Sequence, residues 1–209
     1  NVSHYMSSYK KAMNIGVYAV DLSYARAFEQ FEVAGRYFTA MQILSEEIGI
    51  PQNYFEFVAR RFERNMTNKD SLIVIANEVY HKTEQYLKEN ERFATVSAII
   101  MAGWIEAIYV GTHIAIESRN IDIIDRLMEQ KYSLNNLLIM LSEFNKNEII
   151  KEYISYLSDL RGVFDSIDID IQADFDKSSP EGIEQLNEWV VQLKVLQKGV
   201  EEIRVTIID

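Results

Sequence analysis

The chain has 209 residues, 48% apolar and 25% charged, with a formal net charge of −11 and no cysteine. The length suits one domain that buries roughly 70% of its unfolded surface without staples. The charge repels nucleic-acid phosphates and anionic lipid headgroups, and the missing thiols exclude disulfides, thiolate metal sites and thiol nucleophiles.

The first residues, "NVSHYMSSYK", are polar, and residues 1–9 read as the end of a linker. The chain opens at Asn1 without an initiator Met, which leads us to expect a processed product whose leader has been removed. Two prolines and eight glycines in the whole chain imply long uninterrupted helices. The first is expected from about Ser8 to Glu32. A second follows to Ile48, where Gly49 and then Pro51 form a stop.

"QNYFEFVARRFERN" predicts a short third helix with Phe55, Val58, Ala59 and Phe62 on one face. Asn68 and Ser71 open a fourth, whose inner stripe is Ile73, Ala76, Tyr80 and Leu87. The fifth, Arg92 to Glu117, is apolar almost all round and belongs at the centre of a bundle. It is long enough to span a bilayer, but Glu106 and His113 within it and the missing aromatic and basic belts argue for a core helix. A sixth helix is expected from Ile121 to Phe144. "NKNE", Asn145 to Glu148, resembles a capping box that opens a seventh, to Phe164.

Period-two alternation occurs only in "DSIDIDIQADFD", within an acidic loop over 165–179. Ser179 and Pro180 then cap a last helix to Ile207, with Ile183, Leu186, Val190, Leu193, Val200 and Ile203 as its stripe. The fold expected is all-α, a single domain over 1–209: a bundle or short superhelical array of about seven to eight antiparallel helices.

Catalytic signatures are missing. There is no Gly-rich phosphate loop, no G-x-S-x-G elbow and no H-E-x-x-H zinc site. Glu78 and His81 have the Glu-x-x-His spacing of di-iron bundles, but that chemistry needs two such motifs and two further glutamates. Asp168, Asp170, Asp174 and Asp176 cluster without the glycine of a calcium loop, so a solvated loop is the reading. Arg60, Arg61 and Arg64 make a small basic patch suited to pairing with nearby glutamates. Asn65 heads a glycosylation sequon, relevant only in a eukaryotic secretory pathway. No metal or cofactor is expected.

Two acids stand inside apolar helices: Asp21 in "GVYAVDLSYARAF" and Glu106 in "AGWIEAIYVGTHI". A buried carboxylate must be paired, hydrogen-bonded or neutralised. Lys131 and Asn135, spaced i, i+4 beside Leu134, Leu138 and Leu141, are the candidate partners. The expectation is a buried cluster of Asp21, Glu106, Lys131 and Asn135, with Tyr24 and Tyr109 adding hydroxyls. Glu106 and Lys131, if paired, should lose stability together when either is truncated. The same convergence would also suit a small-molecule pocket beside Glu106, Trp104 and His113.

"NIGVYAVDLSYARAFEQ", "RNMTNKDSL", "AGWIEAIYV" and "QKYSLNNLL" together resemble an uncharacterised family of exported bacterial all-helical proteins, often lipoproteins. The resemblance covers roughly residues 10 to 165 and none of these segments is a catalytic signature. It implies a lipid anchor lost with the leader and a periplasmic or cell-surface location. It carries no activity to any residue. The function expected is noncatalytic: an exported interaction or scaffold module that binds a protein or envelope component, with no nucleic acid and no transmembrane span.

Overall fold

The computed structural model describes residues 2, 5, 7–50, 81–82, 85–90, 92–171 and 175–209. Within them the protein is all-α, and no strand occurs. Six helices have defined bounds: α1 (Ser8–Ala27), α2 (Phe31–Glu47), α3 (Phe93–Ser118), α4 (Ile121–Ser142), α5 (Glu148–Ser166) and α6 (Pro180–Ile208). The expected third helix, the Asn68–Ser71 start with Ile73, Ala76 and Tyr80, the arginine patch, Pro51, Asn65, Glu78 and Asp174 lie outside the described residues.

The single domain expected over 1–209 is organised as two compact units. Unit 1 holds residues 1–106 and 207–209, and unit 2 holds 107–206.

In unit 1, α1 and α2 form an antiparallel hairpin. Lys11, near the start of α1, pairs with Glu47 at the end of α2 at 2.9 Å. Ser7 caps α1 by accepting the Lys10 amide at 3.1 Å. The break between the helices falls earlier than the expected Glu32. The Gln30 amide bonds back to the Ala25 carbonyl and the Glu29 amide to that of Arg26. Glu29 sits at φ 60°. This is a Schellman closure with glutamate where glycine is usual, which is why the sequence hides it. The left-handed conformation costs a non-glycine residue about 1 kcal/mol. Glu29→Gly is therefore expected to leave stability unchanged or raise it by up to about 1 kcal/mol in urea titrations, whereas Glu29→Val should lower it.

The Gly49 stop at the end of α2 is present as read, with φ 85° and the Ile50 amide on the Ser45 carbonyl. Arg92, just before α3, donates to the Ile48 carbonyl at 2.6 Å. A cation there offsets the negative end of the α2 dipole.

Gly16 of α1 crosses α3 with backbone nearly touching backbone. A Cβ on Gly16 would lie 2.1 Å from the Ile99 carbonyl oxygen and 2.9 Å from the Gly103 amide. Met13, Ile15, Leu22, Met41, Leu44, Leu87, Met101 and Ile105 fill the surrounding core. Tyr5 is buried in this core, and its hydroxyl is 3.0 Å from that of Tyr18. Asn14, fully buried, donates to the carbonyls of Lys10 at 3.0 Å and Ile207 at 2.9 Å.

In unit 2, α4, α5 and α6 lie antiparallel in succession. Lys131 of α4 meets Asp165 near the end of α5 at 2.7 Å. Along α5, Tyr153 bonds the Thr206 hydroxyl at 3.1 Å, Leu160 lies beneath Gly199, and Asp168 beyond the helix bonds Gln192. Partners on α6 thus recede as α5 advances. Each helix starts on a side-chain cap. Asn120 accepts the Asp122 amide, and Ser179 accepts that of Gly182. Asn147 accepts two amides at the head of α5, so the cap is Asn147 and not the expected Asn145. Residues 167–171, the stretch of Ile–Asp alternation, lie outside any helix or strand.

The α6 stripe is buried at Leu186, Val190, Leu193, Val200 and Ile203, but Ile183 is 47% exposed.

Candidate functional site

The question posed by Asp21 has an answer within unit 1. Asp21 lies one turn after Tyr18 on α1, and Tyr37 of α2 reaches it from across the hairpin. The Tyr37 hydroxyl donates to the Asp21 carboxylate, and Glu106 of α3 faces the same hydroxyl closely enough to act on its charge. The rings of Tyr18 and Tyr37 stand 5.6 Å apart, tilted by 38°. Tyr5, Tyr18 and Tyr37 therefore make a phenol series ending on two carboxylates. Glu106 is 1% exposed, while Asp21, Tyr18 and Tyr37 are half-buried. Both carboxylates have partners.

The physics of this cluster shows in Tyr37. Burial raises its hydroxyl pKa above the ordinary 10.0, and the Asp21 charge, the Asp21 hydrogen bond and the Glu106 charge raise it further. A raised folded pKa means that the folded state holds this proton more tightly than the unfolded chain. The resulting stabilisation is complete below the unfolded pKa of about 10 and is lost as pH rises through the folded value. Unfolding free energies measured from about pH 8 to 11 should therefore fall with pH. Tyr37→Phe should fall less steeply. Tyr153 in unit 2, raised mainly by burial, keeps the variant's slope from vanishing.

The predicted cluster of six is divided. Asp21 and Glu106 belong to unit 1, while Tyr109, Lys131 and Asn135 belong to unit 2. Lys131, expected as the counter-ion of Glu106, has its ammonium on Asp165, both ends being about half exposed. Asn135 is half-buried on α4. Tyr24 is 39% exposed and packs on Phe28, with ring centroids 4.7 Å apart. The hydroxyl at Asp21 comes from Tyr37 instead.

Tyr109 packs on His113, ring centroids 4.3 Å apart and tilted by 54°, and the Arg204 guanidinium lies over its ring at 4.2 Å. The His113 Nδ1 is 2.8 Å from the Tyr109 carbonyl oxygen. Of the three residues named for the alternative pocket, Glu106 and His113, seven apart, share one face of α3. Trp104 precedes Glu106 by two residues, which at about 100° per residue turns it to the opposite side of α3.

Asp176 of the acidic loop serves its own turn, accepting the Ser178 amide at 2.9 Å and hydroxyl at 2.6 Å. Those hydrogen bonds hold its carboxyl below the usual range. Among the described residues no three acidic or histidine side chains are placed to hold a metal ion.

Sequence reasoning missed Tyr37 and the Gly16–Gly103 crossing. An isolated glycine within each of two long helical stretches is the signal for close backbone approach. Tyr37 in "AGRYFTAM" carries no such mark.

Helix α3 is the one described helix long and apolar enough to cross a membrane, and 56% of its most apolar window is buried within the protein. No protein-family model matches the chain, and neither a curated protein nor a solved structure does.

Proposed function

We propose that this chain is a noncatalytic interaction module that binds a protein or cell-envelope component through unit 2. The observation that carries this reading is a set of apolar side chains left in solvent on well-formed helices. Tyr132 and Ile139 of α4 are 75% and 66% exposed, and Val191 and Val195 of α6 are 64% and 55% exposed. Each pair lies on one helix face at a spacing of seven or four. Exposed apolar residues grouped this way characterise contact surfaces rather than solvated ones.

The carboxylates most suited to chemistry support the same reading, since Asp21 and Glu106 are engaged with partners. Export to the periplasm or cell surface, with a lipid anchor in the precursor, belongs to this proposal and rests on the resemblance of residues 10 to 165.

The test is photo-crosslinking in the cells that make the protein. Benzoylphenylalanine is placed at Ile139 or Val191, and at Lys146 as a polar control. Discrete protein adducts at the two apolar positions alone support the module. No adducts, together with a small molecule whose stabilisation of the fold depends on Glu106, would overturn it.

A further inference from the structure

Between α5 and α6 runs a groove of about 290 Å³, wholly within unit 2. Its floor is apolar: Leu160, Val163 and Ile203. Gly199 keeps it open, because a Cβ there would come within 3.2 Å of Leu160. Its rim is acidic, with Asp159 on one helix and Glu202 on the other, and the Tyr156 ring stands at one edge.

The rim charge is unspent. Asp159 has no ion-pair partner among the described residues. Among the described residues Glu202 meets Lys198 alone, at 3.9 Å and with both ends more than two-thirds exposed. Exposed pairs of this kind contribute little and exchange readily. Unit 2 also holds 18 acidic against 10 basic residues, eight of the eleven net negative charges of the chain.

A groove with a narrow apolar floor and opposed carboxylates matches a side chain with an aliphatic stem and a cationic head. Lysine and arginine bury their stems on apolar surface while keeping the charge at the rim. A neighbouring phenol ring adds attraction for that cation. We propose that this groove seats a basic side chain of the protein partner, its stem on Leu160, Val163 and Ile203 and its charge between Asp159 and Glu202. The proposal rests on the interaction reading above and names the chemistry that the partner must present.

The experiment measures binding of a fluorescent peptide of alternating lysine and leucine to the full chain by anisotropy. Asp159→Asn with Glu202→Gln removes the rim charge from two exposed positions. Glu181→Gln with Glu184→Gln removes equal charge elsewhere on α6. The expected result is a loss of at least about tenfold for the rim pair and under about twofold for the control pair. Replacing lysine by norleucine in the peptide, which keeps the stem and drops the charge, should reproduce the rim loss. Circular dichroism and thermal melts verify folding, and Asp159→Asn alone serves if the pair is unstable.

Equal losses from both pairs would mean a diffuse field and would overturn the site. Spermidine displacing the peptide with the same rim dependence and tighter binding would assign the groove to a free cation instead. Crosslinks at Ile139 and Val191 alongside peptide binding indifferent to the rim pair would leave the module standing and remove only the groove.

Discussion

Gly16→Ala is expected to destabilise the protein by about 3 kcal/mol, although alanine is the better helix former by about 1 kcal/mol. The new methyl would stand 2.1 Å from the Ile99 carbonyl oxygen, and the obstacle is backbone, not a side chain that can rotate away. Only separation of α1 from α3 relieves it, and that opens the core around Met13, Ile15 and Met101. Two other glycines discriminate this account from a general sensitivity of helical glycines. At Gly103 the nearest atom to an added Cβ is the Gly16 oxygen at 3.4 Å, an ordinary contact, and at Gly162 nothing lies within 4 Å. Gly162→Ala should gain about 1 kcal/mol, and Gly103→Ala should fall within about 1 kcal/mol of the parent. Urea unfolding of the three variants checks the order. Equal effects at all three positions would remove the crossing from the explanation.

Glu106→Ala is expected to cost about 3 kcal/mol, because it empties a fully packed site and strips a buried polar cluster of one member. Asp21→Ala should cost about 1–2 kcal/mol by leaving the half-buried Tyr37 hydroxyl without its acceptor. Lys131→Met should cost under about 1 kcal/mol, since its pair with Asp165 is about half in solvent. The Glu106→Ala, Lys131→Met double should then equal the sum of the singles to within about 0.5 kcal/mol. This replaces the coupled loss expected from sequence, where Lys131 was the counter-ion. Coupling energies from unfolding titrations decide the matter. A Glu106–Tyr37 cycle should show coupling, and a Glu106–Lys131 cycle should not.

Much of the fold was legible because helices announce themselves by period and by caps. The starts at Ser8, Ile121 and Pro180 follow from Ser7, Asn120 and Ser179, whose side chains accept the amides of the first turn. The stop at Gly49 follows from its left-handed backbone. The break at Glu29 was illegible because the same geometry there is held by a residue that seldom adopts it.

The site was half legible. An acid among apolar residues marks Asp21 and Glu106 as needing partners, since burial without one is expensive. It does not say which partner. A lysine on a helix that packs inward was the natural candidate, yet Lys131 found Asp165, close by along the α4–α5 hairpin. A tyrosine reads as core in any helix, so Tyr37 and Tyr5 gave no sign that their hydroxyls would be used.

Residues 207–209 belong to unit 1, and Ile207, wholly buried, carries the carbonyl that Asn14 holds. Unit 1 is therefore discontinuous in sequence, and this has a consequence for biosynthesis. Helices α1 and α2 are made before unit 2, but the core of unit 1 stays open until Ile207, beyond the far end of unit 2, has been made. Over that interval the apolar faces of α1 and α3 are without their last neighbour, while unit 2, continuous in sequence, can close first.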